Sequence, residues 1–468
     1  MAARLTGVTM RNVTPSLPRG PSPLQRPFRD RPYRVCAGFL QRPRSRPARA
    51  VLIIVNLAAV MFFLLSYSHR GVGFGPYHID LDVYRIGGRA WLRDGNLYGR
   101  LPATQSGARL PFTYPPAAAV LLSPLSLVPM PVAATALTLG TVVLLAVVIW
   151  VFLRRLAGPA TGSPWALGWL LPPALFLEPV RDTLAFGQVN VVLMALVSLD
   201  CLAEKPRWPR GALTGLAAAV KLTPATFVLF FLVRRDRRAT CTAAASAATV
   251  TAIGFAAAWR DSARYWTSIV FRVGRAGSPA FASNQSILAV LARAGLDPHA
   301  PAAMAIWLAL SAAAAAVACA GMLRAFAASE DCLALSLNAF AALLVSPISW
   351  SHHWVWCVPA LLTLAALGVG HRSRLSLAAA CVGLLIFAAA PQFWLPHGRN
   401  VELRWSAWQQ ITGSSYVIFA AFILLLALSA AMRRVLWQRP WPGRLRPVRW
   451  APGEQGGPMS VHLFLRKG

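Results

Sequence analysis

Ten predominantly apolar stretches, at about 50–67, 132–152, 164–180, 185–202, 239–258, 302–325, 332–347, 354–370, 375–393 and 414–431, run through this chain of 468 residues. They are 16 to 24 residues long, and a helix needs about 20 to cross the hydrocarbon core of a bilayer. Inside that core every backbone amide and carbonyl has to be satisfied within the protein, which leaves helices or a closed barrel. Stretches of this length, without a period of two, predict an all-α integral membrane protein. The overall makeup agrees: 56% hydrophobic and 13% charged residues fall outside the usual range of soluble domains.

The formal charge of +31 would suggest nucleic acid in a soluble protein. Here the arginines lie in the two ends and in short loops between apolar runs, the pattern that orients a membrane protein by keeping positive loops in the cytoplasm. No nucleic-acid partner is expected. Residues 1–49 are rich in Arg and Pro and read as a disordered basic cytoplasmic tail, with Met10 as an alternative start; 433–468 read as a second basic tail. The membrane domain is expected over 50–432. Seven scattered cysteines without CxxC spacing indicate neither disulfides nor zinc. Walker A, GxGxxG and HExxH motifs are absent, so no cofactor and no metal is expected.

Starting with the amino end inside, basic loops fall on the cytoplasmic side throughout if one stretch is treated specially. "GALTGLAAAVKLTPATFVLFFLV" (211–233) has basic loops on both flanks, so a single crossing would break the alternation. A hairpin of two half-length helices, breaking near Lys221 to Pro224, restores it, because proline lacks an amide hydrogen and disfavours helix at the residue before it. About twelve transmembrane elements follow, with both termini cytoplasmic. The outer face then collects 69–131, 181–184 with the adjoining "GQVN", 259–301 and the turn at 351–353, joined by the loop at 394–413. Within the first, "FTYPPAAAVLLSPLSLVP" (112–129) is too short in its apolar part to span and predicts a helix along the interface.

Several residues on that face suit chemistry. Asp80 and Asp82 lie two apart in "HIDLDVY"; in a helix they diverge by about 200 degrees, so they do not form a paired-carboxylate site. Lys221 would sit about 15 Å deep at ~1.5 Å per residue. A lysine at that depth costs ~2.5 to 3.5 kcal/mol and normally faces a cavity or a partner, unless it snorkels. "SPISWSHHW" (346–354) holds paired histidines, and "GQVN" (187–190) and "SNQS" (283–286) hold amides suited to hydroxyl-rich ligands. Asn12 and Asn284 also fit glycosylation sequons, a weak signal.

Taken in order, "DLDVYRIGG…GNLY", "FTYPP", "GQVN", "VKLTP", "NQS" and "SPISWSHHW" resemble the actinobacterial polyprenyl-phosphate-mannose-dependent α-(1→2)-mannosyltransferases, integral-membrane glycosyltransferases of GT-C type. The resemblance spans about 50 to 432. It implies a polyprenyl-phosphate-mannose donor, an extracytoplasmic glycolipid acceptor such as a phosphatidylinositol mannoside or lipomannan, and membrane lipids as surroundings. It also implies Asp80 as general base, Lys221 for the donor phosphate with help from His352, His353 or Arg85, and substrate contacts from Tyr84, Tyr114, Gln188, Asn190, Asn284, Gln285 and Trp350. A secondary transporter or flippase is the alternative from another class, although no second copy of "VKLTP" or "DLDVY" is present. A GT-C enzyme with a pentose donor is the other.

Overall fold

The computed structural model describes residues 45–68, 78–157, 164–430 and 432–433. Among them there is no β-strand, only an isolated antiparallel bridge between Asn284 and Trp350, in line with the all-α expectation. The first helix, α1 (Arg46–Ser68), starts just inside the expected tail; the rest of both expected tails, 1–44 and 434–468, lies outside the described residues.

α2 (Ile79–Leu92) lies in the first long segment between apolar runs. The single interfacial helix expected over 112–129 is two short ones, α3 (Pro116–Leu122) and α4 (Pro124–Leu127), because Pro124 supplies no amide hydrogen to continue the first. α5 (Met130–Ala157) is a long apolar crossing. The run expected to reach 180 stops earlier, as α6 (Pro164–Phe176). α7 (Glu178–Phe186) and α8 (Asn190–Leu202) are bent 119° apart, so the span expected over 185–202 begins only at 190. Gly187 makes that bend with φ 66°, a left-handed value that glycine adopts without a Cβ penalty.

α9 (Ala212–Val220), a 3₁₀ turn at Thr223–Phe227 and α10 (Val228–Arg234) form the expected hairpin, followed by α11 (Arg237–Ala257). Its two ends meet. Gly211 packs against the Ala239 and Ala243 backbone in the first turns of α11, which α10 reaches through only two residues. Asp236 caps α11 by accepting from the Ala239 amide at 3.0 Å. Asp200 at the end of α8 accepts from the Gly211 and Thr214 amides, 2.9 Å each, and so satisfies the start of α9.

α12 (Trp259–Thr267) and α13 (Ile287–Arg293) lie in the long segment before α14 (Pro301–Ala327). α15 (Asp331–Val345), a 3₁₀ turn at Ser351–Trp356, α16 (Cys357–Gly370), α17 (Arg374–Ala389), α18 (Ala407–Gly413) and α19 (Ser415–Leu428) complete the bundle. Five helices among the described residues are long and apolar enough to cross a membrane alone, and the number rises to seven if each of two bent pairs is counted as one span. The expected twelve is approached only by counting shorter apolar helices such as α15 and α17. Outward-facing side chains on the bundle are apolar, among them Ile53, Leu57, Val143, Leu308 and Leu385.

At one end of the bundle Asp331 receives both Arg155, from the end of α5, and Arg234, from the end of α10, at 3.3 Å for the latter. Glu204 joins the same group at 3.6 Å from Arg155. The opposite end gathers 78–129, 258–300, 346–356 and 391–414, tied by bonds such as Trp91 Nε1 to the Ala257 carbonyl and Gln285 Nε2 to the Gly413 carbonyl. Gly211, with φ 101°, leaves no room for a Cβ: one would stand 2.1 Å from the Ala239 carbonyl oxygen. Gly211→Ala is therefore expected to destabilise the protein by about 2 kcal/mol or more through strain and overpacking, seen as a lowered unfolding midpoint in detergent; an unchanged midpoint would contradict the hairpin packing.

Candidate active site

The hairpin apex opens into a cavity of about 680 Å³ under segments 78–129, 258–300, 346–356 and 391–414. At Val220 the helix ends, and Lys221 takes an extended backbone (φ −143°, ψ 132°) before the chain turns back through Pro224. Its Nζ donates to Asn190 Oδ1 at 2.9 Å, meets His353 Nε2 at 3.1 Å, and lies 5.5 Å from the centre of the Tyr114 ring. An ammonium only donates, so His353 Nε2 accepts and the neutral ring carries its proton on Nδ1. Asn190 is a two-ended clamp: its Nδ2 donates to the His352 carbonyl at 2.8 Å, where Thr183 Oγ1 donates as well.

His352 is buried, borders the cavity, and packs edge-on against Phe186 with ring centres 5.1 Å apart. Neither of its ring nitrogens has a hydrogen-bond partner among the described residues. Buried nitrogens that no protein group satisfies are ready to meet a ligand.

Across the cavity stands Asp80, in the first turn of α2, where the helix amide dipoles favour a carboxylate. Gln188 orients it. Gln188 Nε2 donates to Asp80 Oδ2 at 2.7 Å, while Gln188 Oε1 accepts from the Tyr84 hydroxyl at 2.7 Å and the Tyr114 hydroxyl at 3.2 Å. With the amide oxygen taken by two phenols, the amide nitrogen can only face the carboxylate. Removal from bulk water raises the Asp80 pKa to about 6, and the Gln188 bond and the Lys221 charge hold it from rising further. Asp82 turns away as its helical spacing requires: it is buried and accepts from the Gln105 amide at 2.9 Å.

The cavity wall therefore contains Asp80, Tyr114, Gln188, Lys221, Trp350, His352 and His353 from the expected set. It does not contain the others. Arg85 is buried with its guanidinium donating to the Leu125 and Val128 carbonyls, at 3.0 and 2.6 Å, so it fastens α2 to α4 instead of meeting a phosphate. Tyr84 lies behind Gln188, and Asn190 behind Lys221. Asn284 and Gln285 are fully buried. Asn284 bonds the Pro279 carbonyl and the Ser349 amide, Gln285 the Ala282 and Gly413 carbonyls, which holds loops and leaves Asn284 closed to a glycan. Asn12 lies outside the described residues.

Two charged cavity residues went unread in the sequence. Asp182, on α7 and one turn from the buried Glu178, borders the cavity; the only signal was its place shortly before "GQVN". Arg399 borders it from the loop before α18, a segment without any recognisable motif. Among the described residues no three His, Cys, Asp or Glu side chains group in a way that holds a metal ion.

The chain is similar to known proteins along most of its length. Residues 112–347 match the model of Glycosyltransferase family 87, a stretch that begins after Asp80 and ends before His352. Over 419 residues the chain is 40% identical to a Mycobacterium tuberculosis protein named polyprenol-phosphate-mannose-dependent alpha-(1-2)-phosphatidylinositol mannoside mannosyltransferase, covering 86% of this chain and 97% of that one. The Mycolicibacterium smegmatis protein of the same name is 41% identical over 422 residues, 84% of this chain and 95% of its own length. A Mycobacterium tuberculosis protein named for a phosphatidylinositol pentamannoside acceptor is 33% identical over 418 residues, 85% and 91%. No solved structure matches.

Replacing Gln188 by Leu removes a hydrogen bond to the charged form of Asp80 and leaves the Tyr84 and Tyr114 hydroxyls to their mutual bond at 2.9 Å. The Asp80 pKa is expected to move up from about 6, read by infrared titration of the protein carrying labelled aspartate; a downward or absent shift would show that Gln188 does not govern it.

Proposed function

The chain belongs to glycosyltransferase family 87, and from that membership we propose that it moves mannose from polyprenyl-phosphate-mannose to a glycolipid of phosphatidylinositol mannoside or lipomannan type, in an α-(1→2) linkage and with inversion. The names of its relatives support the donor and the acceptor class, and none of them supports the transporter reading. The observation that carries the mechanism is the placement of one carboxylate and one ammonium, Asp80 and Lys221, on a single cavity.

In this reading the acceptor hydroxyl approaches the anomeric carbon from the Asp80 side. The new C–O bond forms as the bond to the phosphate oxygen breaks, and Asp80 takes the hydroxyl proton, a contribution of about 10²–10⁴-fold. The leaving group departs as a phosphate monoester anion and needs no acid. Lys221 neutralises it, with the open nitrogens of His352 as further donors or acceptors. Gln188 fixes the Asp80 carboxylate, and Asn190 fixes Lys221 and the His352 backbone together. Tyr114 and Trp350 offer the sugars two aromatic surfaces.

The cavity is assigned to the extracytoplasmic side and both termini to the cytoplasm. What supports this is the Arg155, Arg234 and Asp331 group at the other end of the bundle, with basic loops around it. The basic tails at 1–49 and 433–468 act in this reading as orienting segments flanking one transmembrane catalytic domain.

Incubating membranes with radiolabelled polyprenyl-phosphate-mannose and phosphatidylinositol mannosides, then determining the linkage of the product, tests the reading directly; label that stays in the donor would refute it. Asp80→Asn is expected to lower transfer by at least about 10²-fold with expression intact, while Asp82→Asn retains transfer. Lys221→Met should raise the donor KM; unchanged donor kinetics would remove the phosphate assignment. Since the base must be ionised, kcat/KM should fall as pH drops below about 6, the Asp80 pKa. A profile without that limb would exclude Asp80 as base.

A further inference from the structure

Three consecutive residues of the loop before α18 sit in the left-handed region: Gly398 (φ 92°), Arg399 (φ 52°) and Asn400 (φ 62°). Two of them carry side chains, which costs about 1–2 kcal/mol each in that region, and such strain persists only where surrounding structure holds it. Here it is held from below. Glu402 is fully buried, and its Oε1 accepts from the Gly398 amide at 2.7 Å and from the Ala282 amide at 3.2 Å. Asn400 Oδ1 accepts from Ser278 Oγ at 2.7 Å. The loop is thus clamped to segment 278–282, and Gly398, Arg399 and Asn400 all border the catalytic cavity.

Lys221 and Arg399 are the two basic side chains, histidines apart, among the described residues of the cavity wall. They differ in place. Lys221 is at the hairpin apex, near enough to Asp80 for its charge to favour that carboxylate, so the phosphate next to the bond being broken belongs there. Arg399 is exposed, on a loop anchored to other loops, with no described carboxylate in ion-pair range. The donor brings one phosphate, and Lys221 meets it. A guanidinium on the rim, planar and able to bond two phosphate oxygens at once, is left for a second anion.

We infer that Arg399 is a specificity-determining residue that binds the phosphodiester of an anionic acceptor glycolipid at the rim of the cavity. The inference rests on the mannosyl-transfer reading above and adds to it the way in which the acceptor is told from neutral glycans.

The test compares two acceptors in the wild-type protein and in Arg399→Gln and Arg399→Lys: a phosphatidylinositol mannoside, which carries the phosphodiester, and octyl α-mannoside, which does not. The ratio of kcat/KM for the first to that for the second is expected to fall about fivefold in Arg399→Gln, the size of an exposed charge-assisted contact, and to be partly restored in Arg399→Lys. Added salt should erode the wild-type ratio and leave that of Arg399→Gln nearly flat. An equal loss for both acceptors, or a change confined to the donor KM, overturns the assignment. A wild-type protein inert toward both acceptors overturns the sugar-transfer reading, and this inference with it.

Discussion

Lys221 Nζ, bonded to Asn190 Oδ1 and His353 Nε2 beside the Tyr114 ring, is the contact to which the rest of the molecule is arranged. An ammonium in an apolar bundle is unfavourable unless acceptors are brought to it. The acceptors come from two other elements, the start of α8 and the turn before α16. To place the ammonium there the chain has to break a helix in the middle of an apolar stretch, and a broken helix is tolerated only where protein or a cavity satisfies the freed backbone. The cavity, the hairpin and the bend at Gly187 that delivers Asn190 are consequences of the same requirement.

Around that centre the polar groups divide into those that face the cavity and those that hold others in place. Gln188 makes the division visible in one side chain, receiving two phenols on its oxygen and directing its nitrogen at Asp80. Beyond it, Arg293 donates to the Asn284 carbonyl and to Ser414 Oγ, and its own carbonyl accepts from Gln410. The bonds to Ser414 and from Gln410 join segments more than 100 residues apart in sequence. The ends of the apolar helices on the cavity side would otherwise have nothing but van der Waals contact to set their register.

Much of this was legible before any coordinates. The hairpin follows from two local facts, basic loops on both flanks of 211–233 and a proline at 224, because charge placement and a missing amide act regardless of what else is nearby. The divergence of Asp80 and Asp82 follows from helix geometry alone. Which polar residue faces the cavity did not follow. Arg85, Asn284 and Gln285 are of types that bind phosphates and sugars, yet the same types satisfy loop carbonyls, and spacing cannot tell the two uses apart. Arg399 was invisible for the opposite reason: its position depends on a buried Glu402 and a run of left-handed residues that carry no sequence pattern.

The way the hairpin is seated has an implication for genetics. Asp200 fixes the first turn of α9 through the Gly211 and Thr214 amides, about 15 Å below Lys221 at ~1.5 Å per residue. The height of the ammonium is therefore set from the far end of the arm, and misplacing a reacting group by about 1 Å can cost 10²-fold in rate. Loss-of-function alleles in a selection should accordingly appear at the foot of this lever, at the end of the bundle that holds Arg155 and Arg234, and would mimic lesions in the pocket itself.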